Sequence, residues 1–219
     1  MSMSDPRWVS VSDPRWVSVS EEKRNELLEK HRDVNVGYAW WDFLYEDFVT
    51  GLAEIGIDVD TKQRRGYAIY FSGFWSQGDG ACFEGSVSDW AKLLTAMNEE
   101  RFIGPATEIG WMFRCSTSGH YSHSGTMAFE GEIYAPENPF DKDQDLLQHE
   151  AWKIGKPTDE DIDGLYERLK TKFVELADQL YTDLEAEYDY LTDDEQVIDY
   201  ILEYATEELI EEEEDEETA

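Results

Sequence analysis

The segment from Thr158 to Leu191 constrains this chain most. In TDEDIDGLYERLKTKFVELADQLYTDLEAEYDYL, residues Ile162, Tyr166, Leu169, Phe173, Leu176 and Leu180 recur at alternating spacings of four and three, the period of one helix face. A long helix with a single apolar stripe needs a surface to cover it. The spacing leaves open whether that cover is the rest of the chain or a second copy in a homodimer. No segment after Thr158 reads as a strand, so any sheet must come from upstream.

Upstream, the signals alternate between helix and strand. Ser18 stands three before Glu21 and Ser20 precedes the acidic first turn of EEKRNELLEKHRD, a helix start. A second helix follows in YAWWDFLYEDFVTGLAEIG, with Trp41, Leu44, Tyr45, Phe48, Leu52 and Ile55 at helical spacing and Gly56 as its end. IDVDT (57–61) and GYAIYFSG (66–73), either side of a basic turn, read as strands. SVSDWAKLLTAMNEERFIG reads as a helix to about Phe102, with Ser86 three before Asp89 as a capping box. EIGWMFRCST (108–117) and TMAFEGEIYA (126–135) are two further strands, and Thr192 with Glu195 caps a last helix that runs into EEEEDEETA.

The expected architecture is α+β: an antiparallel sheet built from two related hairpins with flanking helices, followed by an acidic C-terminal helical hairpin. Three regions are expected: a flexible extension over 1–20, an α+β domain over 21–157 and an acidic helical segment over 158–219. The extension carries a perfect duplication, SDPRWVSV at 4–11 and again at 12–19. Eight residues repeated once are too short and too few for a repeat fold.

Composition narrows the function classes. The chain has 51 acidic and 18 basic residues, a net charge of −33, which disfavours direct binding to nucleic acid or to anionic membrane surfaces and favours basic partners. No stretch approaches the ~20 apolar residues of a membrane span, and no signal-peptide pattern opens the chain. Cys82 and Cys115 fit a reducing compartment as small buried residues. A soluble intracellular protein is expected.

The glycine-rich stretch SGFWSQGDGACFEG (72–85) has an ungapped partner in SGHYSHSGTMAFEG (118–131), with Trp75 opposite Tyr121. Each lies between two strands, so the loops 72–80 and 118–125 are built alike. If the hairpins lie side by side, Ser76, Gln77, Asp79, His120 and His123 could converge on a small polar ligand between the faces of Trp75 and Tyr121. The plainer reading is that Phe83 and Phe129 pack inward, Glu84 and Glu130 face water, and the loops only connect strands.

Other chemistry is weakly signalled. His120 and His123 with Cys115 match no standard zinc spacing, so no metal or cofactor is expected. There is no nucleophile elbow, phosphate loop, CxxC or HExxH. Ser72, Ser76 or Cys82 beside His120 or His123 would need geometry to make a nucleophile and base. Catalysis is not expected.

After Lys172 there is no Lys or Arg, and 20 of the last 47 residues are Asp or Glu. Were those residues one continuous helix, at ~1.5 Å per residue the carboxylates would fall about 3.5 Å apart along the axis, against ~3.4 Å for the phosphates of one DNA strand. The carboxylates expected to bind a partner are Asp183, Glu185, Glu187, Asp189, Asp193, Asp194, Glu203, Glu207 and Glu208. An acidic helix can equally serve as a solubilising element.

Two resemblances add to this. WWDFLYEDF followed by IYFSGFWSQGDGACFEG, over roughly 38–85, resembles a set of uncharacterised bacteriophage and prophage proteins, which implies a phage origin and no particular activity. The tail over roughly 173–217 resembles the phage DNA-mimic anti-restriction proteins of the Ocr type in composition alone. That likeness implies an inhibitor of a host nucleic-acid-binding defence protein. The alternatives are a ligand-binding protein or enzyme using the paired loops, and a virion accessory protein.

Overall fold

A computed structural model describes residues 11–62, 66–117, 121–135 and 156–210. The first octapeptide copy up to Ser10, the basic turn over 63–65, His120 and the Glu-rich end over 211–219 lie outside the described residues. The chain divides into two compact units, one of Met1–Asp42 with Leu184–Ala219, the other of Phe43–Asp183.

The described elements, in chain order, are helices α1 (Pro14–Val17), α2 (Glu21–His31) and α3 (Asp42–Glu54), strands β1 (Ile57–Val59), β2 (Thr61–Lys62), β3 (Gly66–Tyr67), β4 (Ile69–Phe71), β5 (Ala81–Phe83) and β6 (Gly85–Val87), helices α4 (Trp90–Ala96) and α5 (Ile103–Ile109), strands β7 (Met112–Thr117) and β8 (Met127–Glu132), and helices α6 (Asp159–Leu191) and α7 (Asp194–Tyr204). The fold is α+β, and every strand pairing is antiparallel. The main sheet has the order β1-β6-β7-β8, with separate two-stranded pairs β2-β3 and β4-β5. The two related segments do form hairpins, one joining β4 to β5 and the other β7 to β8.

The larger unit is held by aromatic packing. Phe173 of α6 stacks on Phe83 of β5 at 5.8 Å between centroids and meets Phe113 of β7 edge-on at 5.3 Å. Phe48 of α3 lies edge-on to Phe83 at 5.3 Å, and Phe129 of β8 completes the cluster against Phe113 and Phe173. Such contacts add to the area term of burying large rings. The apolar stripe of α6 is therefore covered within the unit: Ile162, Leu165, Leu169, Phe173, Ala177 and Leu180 are all buried. The stripe is displaced by one residue at two places, where Leu165 and Ala177 take the inward positions expected of Tyr166 and Leu176. Tyr166 instead lies partly buried and its hydroxyl donates to the Phe129 carbonyl oxygen at 3.2 Å.

Several element boundaries differ from expectation. Ser86 belongs to β6, and the cap of α4 is Asp89, whose carboxylate accepts from Lys92 N at 3.1 Å. The helix then stops at Ala96 because Asn98 takes φ of 56°, a left-handed conformation that asparagine tolerates better than most residues. The chain resumes as a short 3-10 turn and α5, so residues 108–109 are helical and β7 starts only at Met112. In the smaller unit the cap of α7 is Asp193, which accepts from Glu195 N at 2.9 Å, while Thr192 turns its hydroxyl back to the Tyr188 carbonyl.

The smaller unit has its own core. Trp16, Leu27, Val197, Ile198, Ile201, Leu202 and Ala205 form one buried cluster, so α7 lays its apolar face on α1 and α2. This corrects the expected flexible extension: the second octapeptide copy is folded. Asp13 caps α1, and Trp16 is only 3% exposed.

Candidate functional site

The β4-β5 loop is wired by one carboxylate. Asp79 accepts from the backbone N–H groups of Trp75 at 3.1 Å and Ser76 at 2.7 Å, and Asp79 N donates to the Ser76 carbonyl at 3.0 Å. Such side chain to backbone bonds are the usual reason for an Asp in a tight loop. Tyr181 of α6 steadies the same loop from outside through a hydroxyl bond to the Gly73 carbonyl at 3.1 Å. Asp79 therefore serves the loop's own backbone. Ser76 and Gln77 are exposed, and Trp75 has 76% of its surface in solvent.

The β7-β8 loop uses a histidine for the same purpose. His123 Nδ1 accepts from Gly125 N at 3.1 Å, which leaves the ring proton on Nε2 in the neutral form. The Thr126 hydroxyl closes the turn onto the carbonyls of Tyr121 and His123, at 2.7 Å each. Tyr121 is 60% exposed. His120, the remaining expected ligand group, lies outside the described residues.

The two loops meet. A Cβ on Gly80 would stand 2.3 Å from His123 Cβ and 2.9 Å from its Cα, so the β4-β5 loop closes against the β7-β8 loop only because residue 80 is glycine. A Cβ on Gly78 would come within 3.9 Å of the Tyr121 ring. Gly78 and Tyr121 thus bring the two loops' exposed faces together, with Gln77 and His123 in the same loops.

At the foot of these hairpins sits a polar network around Glu84, a residue expected to face water if the loops only connect strands. Glu84 has a side chain only 14% exposed. It accepts from Lys62 Nζ at 2.7 Å, Thr117 Oγ1 at 3.0 Å and Tyr70 hydroxyl at 3.4 Å. Burial works to raise the Glu84 carboxyl, but the bonds from Lys62 and Thr117 outweigh it and hold it below its ordinary range. Nearby, Arg114 pairs with Asp60 at 3.0 Å. Glu130, the equivalent of Glu84 in the second hairpin, is exposed as expected, and Phe83 is fully buried while Phe129 is half-buried.

Nucleophile chemistry gains nothing from this geometry. Burial pushes the Cys82 thiol up to about 11 and the Cys115 thiol up to about 12, so both stay protonated at neutral pH. Cys115 Sγ donates to the Phe83 carbonyl at 3.4 Å. Among the described residues, no group of three or more His, Cys, Asp or Glu side chains could hold a metal ion.

The nine tail carboxylates divide by role. Asp193 caps α7, Asp194 pairs with Arg32 at 2.5 Å, and Glu208 takes Lys30 at 2.6 Å and His31 at 3.2 Å. The Lys30 and His31 bonds hold the Glu208 carboxyl below its usual range. Asp183 accepts from Gln179 within α6 at 2.8 Å, and Tyr204 shares a hydrogen bond with Glu203. Glu185, Glu187, Asp189 and Glu207 form no ion pair among the described residues, and Asp189 and Glu207 are exposed. The tail is not one continuous helix, since α6 ends at Leu191 and α7 begins at Asp194.

Comparison with known families gives a match over residues 40–194 to the family described as "Domain of unknown function (DUF8835)". The chain belongs to that family. The match takes in both paired loops and all of α6, while the duplicated octapeptides and α7 beyond its first residue fall outside it. No curated protein and no solved structure matches the chain. Among the described residues no helix is long and apolar enough to cross a membrane.

Proposed function

We propose that this DUF8835 member is a phage-encoded acidic inhibitor that binds the basic surface of a host nucleic-acid-binding defence protein, its carboxylates standing in for phosphates. The observation that carries the reading is the combination of order and charge over the end of α6 and α7. Leu184, Val197, Ile198, Ile201 and Leu202 are buried, so Glu185, Glu187, Asp189 and Glu203 ride on packed helices, and no Lys or Arg follows Lys172. A fixed array of one sign gains the steering and counterion-release terms that otherwise favour DNA. Glu185, Glu187, Asp189, Glu203 and Glu207 are the contact residues, with Asp183 beside them on α6. Asp193, Asp194 and Glu208 are committed to the unit's own structure.

The test is capture of partners from host lysate by the full chain and by a variant with Glu185, Glu187, Asp189, Glu203 and Glu207 all changed to Lys. Nucleic-acid-binding proteins held by the wild type, lost by the variant, and released by duplex DNA or raised salt are the expected result. Equal capture by the two chains, or no competition by DNA, would sink the reading.

A second reading is favoured by the closure of the two loops at Gly80 and His123. On that reading a small polar ligand would bind between Trp75 and Tyr121, and its binding would respond only mildly to salt.

A further inference from the structure

The groove that Trp16 fills is occupied by a segment the chain carries twice. Trp16 enters the cluster of Leu27, Val197, Ile198, Ile201, Leu202 and Ala205. The turn that presents it is built within the octapeptide. Asp13 accepts from Arg15 N at 2.8 Å and pairs with the Arg15 guanidinium at 2.9 Å, and Ser18 Oγ donates to the Arg15 carbonyl at 2.9 Å. Val19 is buried with Trp16, and Arg15 Nη1 reaches the Leu202 carbonyl at 3.4 Å. Each of these residues has an identical counterpart in the first copy: Asp5, Arg7, Trp8, Ser10 and Val11. Both copies are also followed by a serine, Ser12 or Ser20. Nothing in the docked turn distinguishes one copy from the other.

We propose that this groove is a two-register binding site, and that residues 4–11 of the same chain dock in it in place of residues 12–19. The registers differ only in tether. The second copy joins α2 directly at Ser20, whereas docking the first bows residues 12–19 out as a loop. Those residues can span up to ~3.3–3.6 Å each when extended, so reach does not forbid the exchange. The cost of closing the added loop favours the second copy but grows only slowly with length. The first copy is thus a built-in replacement ligand, and the surface it fits is specific for an Asp-Pro-Arg-Trp turn.

The exchange predicts a non-additive mutant cycle in thermal unfolding of the full chain. Trp8→Ala leaves the midpoint unmoved, Trp16→Ala loses less than half of what the double variant loses, and added synthetic SDPRWVSV peptide raises the midpoint of the double variant. A Trp16→Ala loss equal to that of the double variant overturns the proposal. Should the double variant not fold, cross-linking decides in folded chains. Ser18 and Thr206 line one cavity of about 250 Å³, so Ser18→Cys with Thr206→Cys marks the second register and Ser10→Cys with Thr206→Cys the first. Cross-linking of the first-register pair above that of a Ser2→Cys, Thr206→Cys control supports the exchange, and a yield no higher than the control overturns it.

Discussion

The two hairpins of the larger unit share a sequence plan and differ in what the plan achieves. In each, an aromatic sits exposed on the loop, Trp75 or Tyr121, and a Phe-Glu-Gly run follows in or directly after the return strand. The first hairpin sinks this run into the core: Phe83 is fully buried under Phe48 and Phe173, and Glu84 is gripped by three donors. The second presents the same residues at the rim, with Phe129 half-buried and Glu130 in solvent. The loops diverge too, a carboxylate organising one and an imidazole the other. Matching residues in matching hairpins thus meet unequal burial and unequal partners, because the covering helices and strands differ.

The largest effect expected from breaking this comparison is at the phenylalanines. Phe83→Ala should cost about 3–5 kcal/mol, the range for emptying a buried aromatic site, and Phe129→Ala markedly less. Urea unfolding midpoints would measure both, and equal losses would mean that the hairpins are energetically equivalent. The glycines come next. A Cβ on Gly85 would stand 2.5 Å from the Asp58 carbonyl oxygen, whereas one on Gly131 would meet the Tyr166 ring at 2.7 Å. Overpacking costs about 1–3 kcal/mol, and Gly85→Ala should fall at or above the upper end since a paired strand cannot yield as a ring can. If Gly131→Ala proves the more damaging in thermal melts, the α6 contact is the stiffer of the two.

The smallest contrast lies between the glutamates. Glu84→Gln should lose about 1 kcal/mol near neutral pH, the net scale of one intramolecular hydrogen bond, while Glu130→Gln stays within about 0.5 kcal/mol. Because the folded Glu84 carboxyl lies below its unfolded value, its contribution is full above an unfolded value of about 4.3 and is lost as pH falls through the folded one. Melting curves taken from pH 7 down to pH 3 should therefore show the wild-type advantage over Glu84→Gln shrinking below about pH 4. A gap independent of pH would assign the effect to packing.

Local pattern was enough to find the hairpins, the long helix and the acidic end, because periodicity and capping signals are contained in neighbouring residues. The grip on Glu84 is not legible, because its partners Lys62 and Thr117 lie 22 and 33 residues away and alternation along a strand carries no information about them. The α6 stripe was legible to within one residue. Adjacent apolar pairs, Leu165-Tyr166 and Leu176-Ala177, let the period fit either member, and the tyrosine's hydroxyl decided the first case by finding a carbonyl at the edge of the sheet. The folding of the second octapeptide is not legible for a similar reason, since its anchor points on α7 are remote in sequence, Leu202 lying 187 residues from Arg15.

The two cysteines give this chain a clock. Cys82 and Cys115 are 1% and 0% exposed, on adjoining parts of the sheet core, with thiols too weakly acidic to react where they stand. An alkylating reagent can reach them only when the surrounding strands part. Each labelled sulfur would then record one opening of the larger unit, and the ratio of singly to doubly labelled chains would tell whether its strands come apart together or one at a time.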